Sequence, residues 1–310
     1  MEAVELPKQV TIEPLLKRLN EIVLDKEQQV KLSLACLLAR GHLLIEDLPG
    51  MGKTVLAHAL GGALGLQYQR VQFTSDLLPG DIIGCSIYDR NKGEFVYNEG
   101  PVFSQLLLAD EINRATPKCQ SALLEAMEER QVSVEGTPRN LPEPFFVIAT
   151  QNPSEQIGTF PLPESQLDRF LMCISMGYPN REAEIALFRG EDRRRMLDDL
   201  KPVLEPFTLV SLQQQVEQVT LSDAVLDYLQ RILEFTRSSD LFVHGLSSRA
   251  GLGLLRASQA WALLHGEDKL LPGDIQVVLP WVVGHRLAPV AGRMSAERIG
   301  DEILSKVNVE

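Results

Sequence analysis

The chain has 310 residues, with 30 Lys+Arg against 42 Asp+Glu for a formal charge of −12, and 45% of its residues are hydrophobic. These figures fit one or two globular domains with a substantial core and exclude a disordered chain, a collagen or a coiled coil. The acidic balance argues against long-range attraction to nucleic acid or to an anionic membrane, and no apolar run approaches the roughly 18 residues of a membrane span.

The opening MEAVELPKQV has no basic start leading into an apolar stretch and no Arg-rich amphipathic character, so a cytoplasmic location is expected. Residues 25 to 40 read as a helix, with Asp25 as cap, Val30, Leu34, Leu37 and Leu38 on one face, and Gly41 as the stop. Short apolar runs then follow at His42 to Glu46, Tyr68 to Phe73, Gln105 to Asp110, Phe145 to Thr150 and Phe170 to Ile174. Such runs suit strands of a parallel sheet covered on both faces. A helix from Thr54 to Leu64 and another opened by Thr116-Pro117 serve as crossovers. Two segments break the alternation as hairpins: about 86–98, turning at Asn91-Lys92-Gly93, and about 131–141, turning near Glu135-Gly136. After Tyr178-Pro179 strand signals vanish, and Ser211, Ser222 and Pro272 each precede a helical periodicity. The expected architecture is an α/β domain over 1–178 built on a five-stranded parallel sheet, followed by an all-helical domain over 179–310. The cysteines at 36, 85, 119 and 173 form no CxxC pair and read as reduced, mostly buried thiols, and the five histidines show no zinc-ligand spacing.

The sharpest chemical signal is Pro49-Gly50-Met51-Gly52-Lys53-Thr54, set between an apolar strand and a helix. In that setting small residues let backbone N–H groups turn toward phosphates, the helix N-terminus adds positive potential, Lys53 neutralises phosphate charge and the Thr54 hydroxyl can hold Mg²⁺. The first glycine of the usual G-x-x-x-x-G-K-[ST] pattern is replaced by Asp47. An acidic group close to phosphates opposes binding unless it points away, so Asp47→Gly is expected to bind ATP as well as the parent or better. At the end of a buried strand, Asp110 can hold the metal and Glu111 can polarise the attacking water. Another strand ends in Asn152, whose carboxamide can orient that water, although Asn before Pro153 is also a common turn former. The run Arg193-Arg194-Arg195, flanked by acids, reads as a solvated helix face.

Asp110-Glu111-Ile112-Asn113-Arg114, Gln120 to Met127, Ala149 to Pro153 and Leu162 to Phe170 together resemble the MoxR family of AAA+ ATPases, over about residues 20 to 285. The resemblance implies an αβα nucleotide domain with a helical lid, working as a ring, commonly a hexamer. The hairpins then correspond to the helix-2 insert and the pre-sensor-1 hairpin. It implies Walker A roles for Lys53 and Thr54 with Val55 beside them, Walker B roles for Asp110 and Glu111, and a sensor-1 role for Asn152. Arg169 becomes an arginine finger, lying past the last core strand, although the residues alone favour an Asp168/Arg169 surface pair and only the family match reverses that. Arg249 becomes sensor 2, and Arg114 takes a role between subunits. Ile22 and Val23 stand where the family meets adenine, here without its usual Gly-Gln pair. The implied activity is Mg²⁺-dependent ATP hydrolysis that remodels a client protein or a metal-containing enzyme, with a von Willebrand factor A domain protein as partner. A DNA-associated motor or transcription activator, and a nucleotide-gated scaffold with little turnover, are the alternatives. The negative charge and the lack of residues left over for a helix-turn-helix region weigh against the first.

Overall fold

The computed structural model describes residues 12–152, 158–189 and 193–309. Helices α1 (Glu13–Ile22) and α2 (Glu27–Leu38) precede strand β1 (Leu43–Glu46), helix α3 (Lys53–Ala63) and strand β2 (Tyr68–Gln72). The short helix α4 (Pro79–Ile83) leads into the hairpin β3 (Gly84–Asp89) and β4 (Glu94–Glu99). Strand β5 (Leu106–Asp110), helix α5 (Pro117–Glu129), the hairpin β6 (Gln131–Val134) and β7 (Thr137–Asn140), strand β8 (Phe146–Gln151), helix α6 (Glu164–Leu167) and strand β9 (Met172–Ile174) complete the sheet-bearing part. Every regular element described after β9 is helical: α7 (Arg181–Phe188), α8 (Arg193–Asp198), α9 (Pro206–Val216), α10 (Asp223–Ser238), α11 (Ser248–Leu264), α12 (Pro272–Val283) and α13 (Ala296–Lys306).

The five expected core strands form one parallel sheet in the order β2-β5-β8-β1-β9. The apolar runs of β1, β5, β8 and β9 follow from burial on both faces, whereas β2, Tyr68-Gln69-Arg70-Val71-Gln72 at the sheet edge, is largely polar and has no buried residue. Because side chains alternate across a strand, Leu43, Ile45, Leu106, Leu108, Phe146 and Ile148 join the apolar cluster of α1, α2 and α3. Leu44, Leu107, Ala109, Val147 and Ala149 join the opposite one, which α5 covers. The first cluster continues without a break into α9, α11 and α12, and α11 packs directly on α2.

Both hairpins form where the sequence put them. Glu135 and Gly136 both take positive φ, 53° and 79°, the conformation a two-residue turn needs to match strand twist. Two capping expectations do not hold. Asp25 lies in the left-handed region and its carboxylate accepts from Asn180 N (2.6 Å) and Nδ2 (2.7 Å), so it holds a distant segment and leaves α2 without a side-chain cap. Ser211 is buried inside α9, which starts earlier because Pro206 fits its first turn. Ser222 caps α10 and Pro272 opens α12 as expected. The basic run at 193–195 and its neighbours Glu191 and Asp192, like Pro153, lie outside the described side chains. Three of the four free cysteines are buried.

His42, just before β1, is fixed by the sheet itself. Its Nδ1 accepts from Val147 N (3.0 Å) and its Nε2 faces the Met127 carbonyl (3.2 Å), which joins the starts of β1 and β8 to the end of α5. Burial lowers its pKa from 6.5 to about 4. The folded state therefore resists a proton that the unfolded chain accepts, so stability is full above pH 6.5 and falls as pH drops toward 4, by roughly 3 kcal/mol from this group. His285 is lowered in the same direction by burial. Chemical unfolding measured from pH 7 to 4.5 is expected to show this loss, and His42→Gln is expected to remove the His42 share of the slope. An unchanged slope in that variant contradicts the assignment.

Candidate active site

In a parallel sheet every strand ends at the same edge, and that edge gathers the expected chemistry. The 48–52 turn joins β1 to α3, with Gly50 and Gly52 at φ 86° and 85°, values that a side chain resists and glycine does not. The turn thus delivers Lys53, Thr54 and Val55 to the first helical turn, where N–H groups lack intrahelical partners and can receive an anion. Lys53 Nζ donates to the carbonyls of Asp47 (2.6 Å) and Leu48 (3.3 Å) and reaches Asn152 Oδ1 at 3.4 Å. Burial lowers its pKa, opposed by the nearby charges of Asp47, Asp110 and Glu111.

Asp110 and Glu111 close β5. Thr150 of β8 donates to Asp110 Oδ1 at 2.6 Å and accepts from the Glu111 N–H at 2.9 Å. Glu111 sits at φ 55°, an uncommon conformation for a residue with a side chain, and one that turns the chain sharply away from the strand. Its Oε2 accepts from Gln72 Nε2 (3.1 Å) and pairs with Arg114 Nε (2.9 Å). Asp110 Oδ2 pairs with Arg70 Nη2 at 2.6 Å. Thr54 and Asp110 offer hard oxygen donors, and no group of three or more His, Cys, Asp or Glu among the described residues could hold a metal alone. That donor set fits Mg²⁺, which takes one or two protein oxygens and completes its shell with phosphate and water.

Beside the loop lies a cavity of about 200 Å³ lined by Ile22, Val23, Gly50, Met51, Gly52 and Val55. Met176, Pro179 and Leu187 close it from the far side. These apolar walls suit a flat base, and they adjoin the anion site. A larger cavity of about 540 Å³, between Glu46 and the 284–296 segment, contains neither Lys53 nor Asp110.

The family model described as "ATPase family associated with various cellular activities (AAA)" matches residues 42–172, and an AAA lid domain matches 234–306. The protein YeaC of Bacillus subtilis is 44% identical over 298 residues, 94% of this chain and 93% of its own. Chaperone MoxR1 of Mycobacterium tuberculosis is 38% identical over 308 residues, 96% of this chain and 79% of its own. The chain belongs to the MoxR family of AAA+ ATPases. It is an ATP-hydrolysing enzyme. A solved structure from Cytophaga hutchinsonii that carries an ATPase designation superposes with a TM-score of 0.89 at 35% identity, covering 97% of this chain and 95% of that one.

Within this MoxR chain the remaining candidates stand apart from the phosphate loop. Arg169 precedes β9, contrary to the expectation that it lies past the last core strand, because the strand begins only at Met172. The next residues are pinned at the starts of the strands: Leu171 N donates to the His42 carbonyl at 2.8 Å. Asp168 does not pair with Arg169. It pairs with Arg286 of the chain after α12 at 2.7 Å, and Arg286 also donates to the Phe170 and Leu171 carbonyls. Arg169 Nη2 instead meets Glu128 Oε2 at 3.1 Å, and Arg249 Nη1 meets Glu128 Oε1 at 2.8 Å. Glu128, Gln72, Arg70 and Met176 had no signal in the sequence, since each gains its place only from strand order or helix packing.

Lys53→Ala is expected to weaken ATP binding roughly 10- to 100-fold, the range of a lost charge-assisted contact. Glu111→Gln is expected to retain ATP while turnover falls by roughly 10² to 10⁴. Equilibrium binding of a fluorescent nucleotide beside phosphate release separates the two, and undiminished turnover in Glu111→Gln contradicts the assignment.

Proposed function

We propose that this MoxR chain is a Mg²⁺-dependent ATPase working as a homo-oligomeric ring, a hexamer, with each ATP held between two subunits and its hydrolysis used to remodel a client protein or a metal-containing enzyme. The observation that carries this reading is the separation of two sets of groups. Lys53, Asp110, Glu111 and Asn152 lie at the C-terminal edge of the sheet, whereas Arg169 and Arg249 meet on Glu128 beside the strand starts. A five-residue strand spans on the order of 16 Å, too far for Arg169 to meet a phosphate on its own loop.

In this reading Lys53 and the N–H groups of the 50–54 turn hold the phosphates, and the walls at Ile22, Val23, Met51 and Val55 hold the base. Thr54 and Asp110 hold Mg²⁺, which when bound supplies charge neutralisation at the phosphates. Glu111 takes the proton of the attacking water and Asn152 orients that water. Arg169 of a neighbour stabilises the charge that develops on the transferred group, and Arg249, beside it on the same carboxylate, reports the nucleotide to the lid. Arg114 pairs with Glu111 of its own subunit, so its expected role between subunits has no support beyond the resemblance. In this reading the core spans 1–178 and the lid 179–310, a division supported by an AAA model over 42–172 and a lid model over 234–306.

The chaperone designation of the mycobacterial relative supports a client protein, and the family resemblance supports a von Willebrand factor A domain partner. The β3–β4 hairpin presents Ile87, Tyr88, Phe95 and Val96, with Phe95 71% exposed, an apolar tip suited to gripping a polypeptide. No helix among the described residues is long and apolar enough to cross a membrane.

Arg169→Ala is expected to bind ATP normally and to hydrolyse it roughly 10³- to 10⁵-fold more slowly. Mixed with Lys53→Ala, under conditions where subunits exchange, it is expected to recover activity, because the mixture sets an intact Arg169 against an intact phosphate loop. A mixture as inactive as both parents contradicts the shared site.

A further inference from the structure

Asp47 occupies the place of a glycine in the usual phosphate loop, yet its carboxylate is buried and turned away from the anion site. Oδ2 accepts from Ser175 Oγ (3.1 Å), Met176 N (2.7 Å) and Gly177 N (2.6 Å), while Oδ1 accepts from Leu48 N (2.7 Å). Successive amides leading into a left-handed glycine, here Gly177 at φ 63°, make a concavity that binds anions. With its lone pairs occupied, the carboxylate is a bracket between two pieces of chain. The same residue donates its N–H to the Gln151 carbonyl at 3.2 Å, and its own carbonyl receives Lys53 Nζ at 2.6 Å.

The segment so bracketed leaves β9 for the helical part. It is also held by the α1–α2 turn and the start of α2: Gln29 Nε2 donates to the Ser175 carbonyl (3.2 Å), Lys26 Nζ to the Tyr178 carbonyl (2.9 Å), and Asp25 receives Asn180. Met176 and Pro179 of this segment form the far wall of the base cavity. Lys53 must release the Asp47 carbonyl to meet a phosphate, so nucleotide entry changes the load on the peptide whose side chain holds that wall.

We propose that Asp47 is a positioning residue that couples the phosphate loop to the 175–177 segment, so that the phosphate lysine and the base wall are set together and nucleotide occupancy is transmitted to the start of the helical part. This deepens the nucleotide-site reading above and rests on it. It also reverses the expectation for position 47: a glycine there leaves the amides of Met176 and Gly177 without their acceptor, and binding weakens. Linkage makes the effect reciprocal, so a freed segment also lowers affinity at the loop.

Hydrogen exchange with ADP as the probe tests this. In the parent protein ADP is expected to slow exchange both at 50–54 and at 174–178. In Asp47→Asn, which keeps the size but replaces the carboxylate, the 174–178 segment is expected to exchange about tenfold faster without nucleotide, the order of a lost charge-assisted bond. ADP is expected still to slow 50–54 but no longer 174–178, and KM for ATP is expected to rise about tenfold with kcat changed less than about threefold. Unchanged exchange and an unchanged ADP response in the variant overturn the coupling, as does a fall in kcat at constant KM. Absence of protection at 50–54 in the parent removes the nucleotide site itself, which separates that failure from this one. Normal exchange in β5 marks the variant as folded. Where it is not folded, Ser175→Ala decides: a rise of a few-fold confined to 174–178 supports the proposal, and no change overturns it.

Discussion

The parallel pairing of β5, β8 and β1 is the constraint on which the site depends. Leu44 lies opposite Ala149, and Ala149 opposite Ala109, so the three strands end side by side and their next residues are Asp47, Asn152 and, after Asp110, Glu111. Hydrogen bonds across that edge then fix individual atoms. Thr150, fully buried in β8, orients both the Asp110 carboxylate and the Glu111 backbone, and a buried hydroxyl with both partners satisfied has little freedom to move. The geometry of the candidate site is therefore a property of the sheet, to whose edge the 48–52 turn is attached.

Charge is balanced locally in this chain. Partly buried carboxylates are costly without partners, and each one at the site has them: Asp110 on Arg70, Glu111 on Arg114 and Gln72, Glu128 on Arg169 and Arg249, Asp47 on backbone amides. Lys53 is likewise occupied by carbonyls and by Asn152. In the proposed cycle nucleotide and neighbour replace these partners rather than meeting bare charges, so binding is an exchange of contacts whose net energy is much smaller than the contacts themselves. Glu128 illustrates the point: it holds Arg169, which the reading assigns to the phosphate of another subunit, together with Arg249, and release of Arg169 is part of the proposed assembly.

Much of this was legible in the sequence. Apolar runs such as Leu106 to Ala109 mark strands whose both faces are covered, and Pro49 to Thr54 has a single common structural reason. Both hairpins were readable from Asn91-Lys92-Gly93 and Glu135-Gly136, because Gly93 and Gly136 take the left-handed backbone conformation that glycine accepts most readily. Long-range pairing was not legible. Asp25 looks like a helix cap, but its carboxylate serves Asn180, 155 positions away. Asp168 looks like the natural partner of Arg169, but the fold delivers Arg286 to it from 118 positions away. Gln72 and Arg70 face the Asp110-Glu111 pair only because β2 is the neighbour of β5, and no local periodicity encodes strand order. Asp47 read as a defect in a motif for the same reason: its partners at 175–177 follow β9, the neighbour of β1 in the sheet, but lie 128 to 130 positions away in sequence.

In the proposed ring, Arg169 and the phosphate loop of one nucleotide site belong to different subunits. A structure of the Glu111→Gln protein assembled with ATP tests it most directly. The account predicts a γ-phosphate within hydrogen-bond distance of Lys53 of one subunit and of Arg169 from the adjacent one, with Arg169 detached from Glu128. An ATP-loaded structure in which Arg169 stays on Glu128, far from any phosphate, would contradict it.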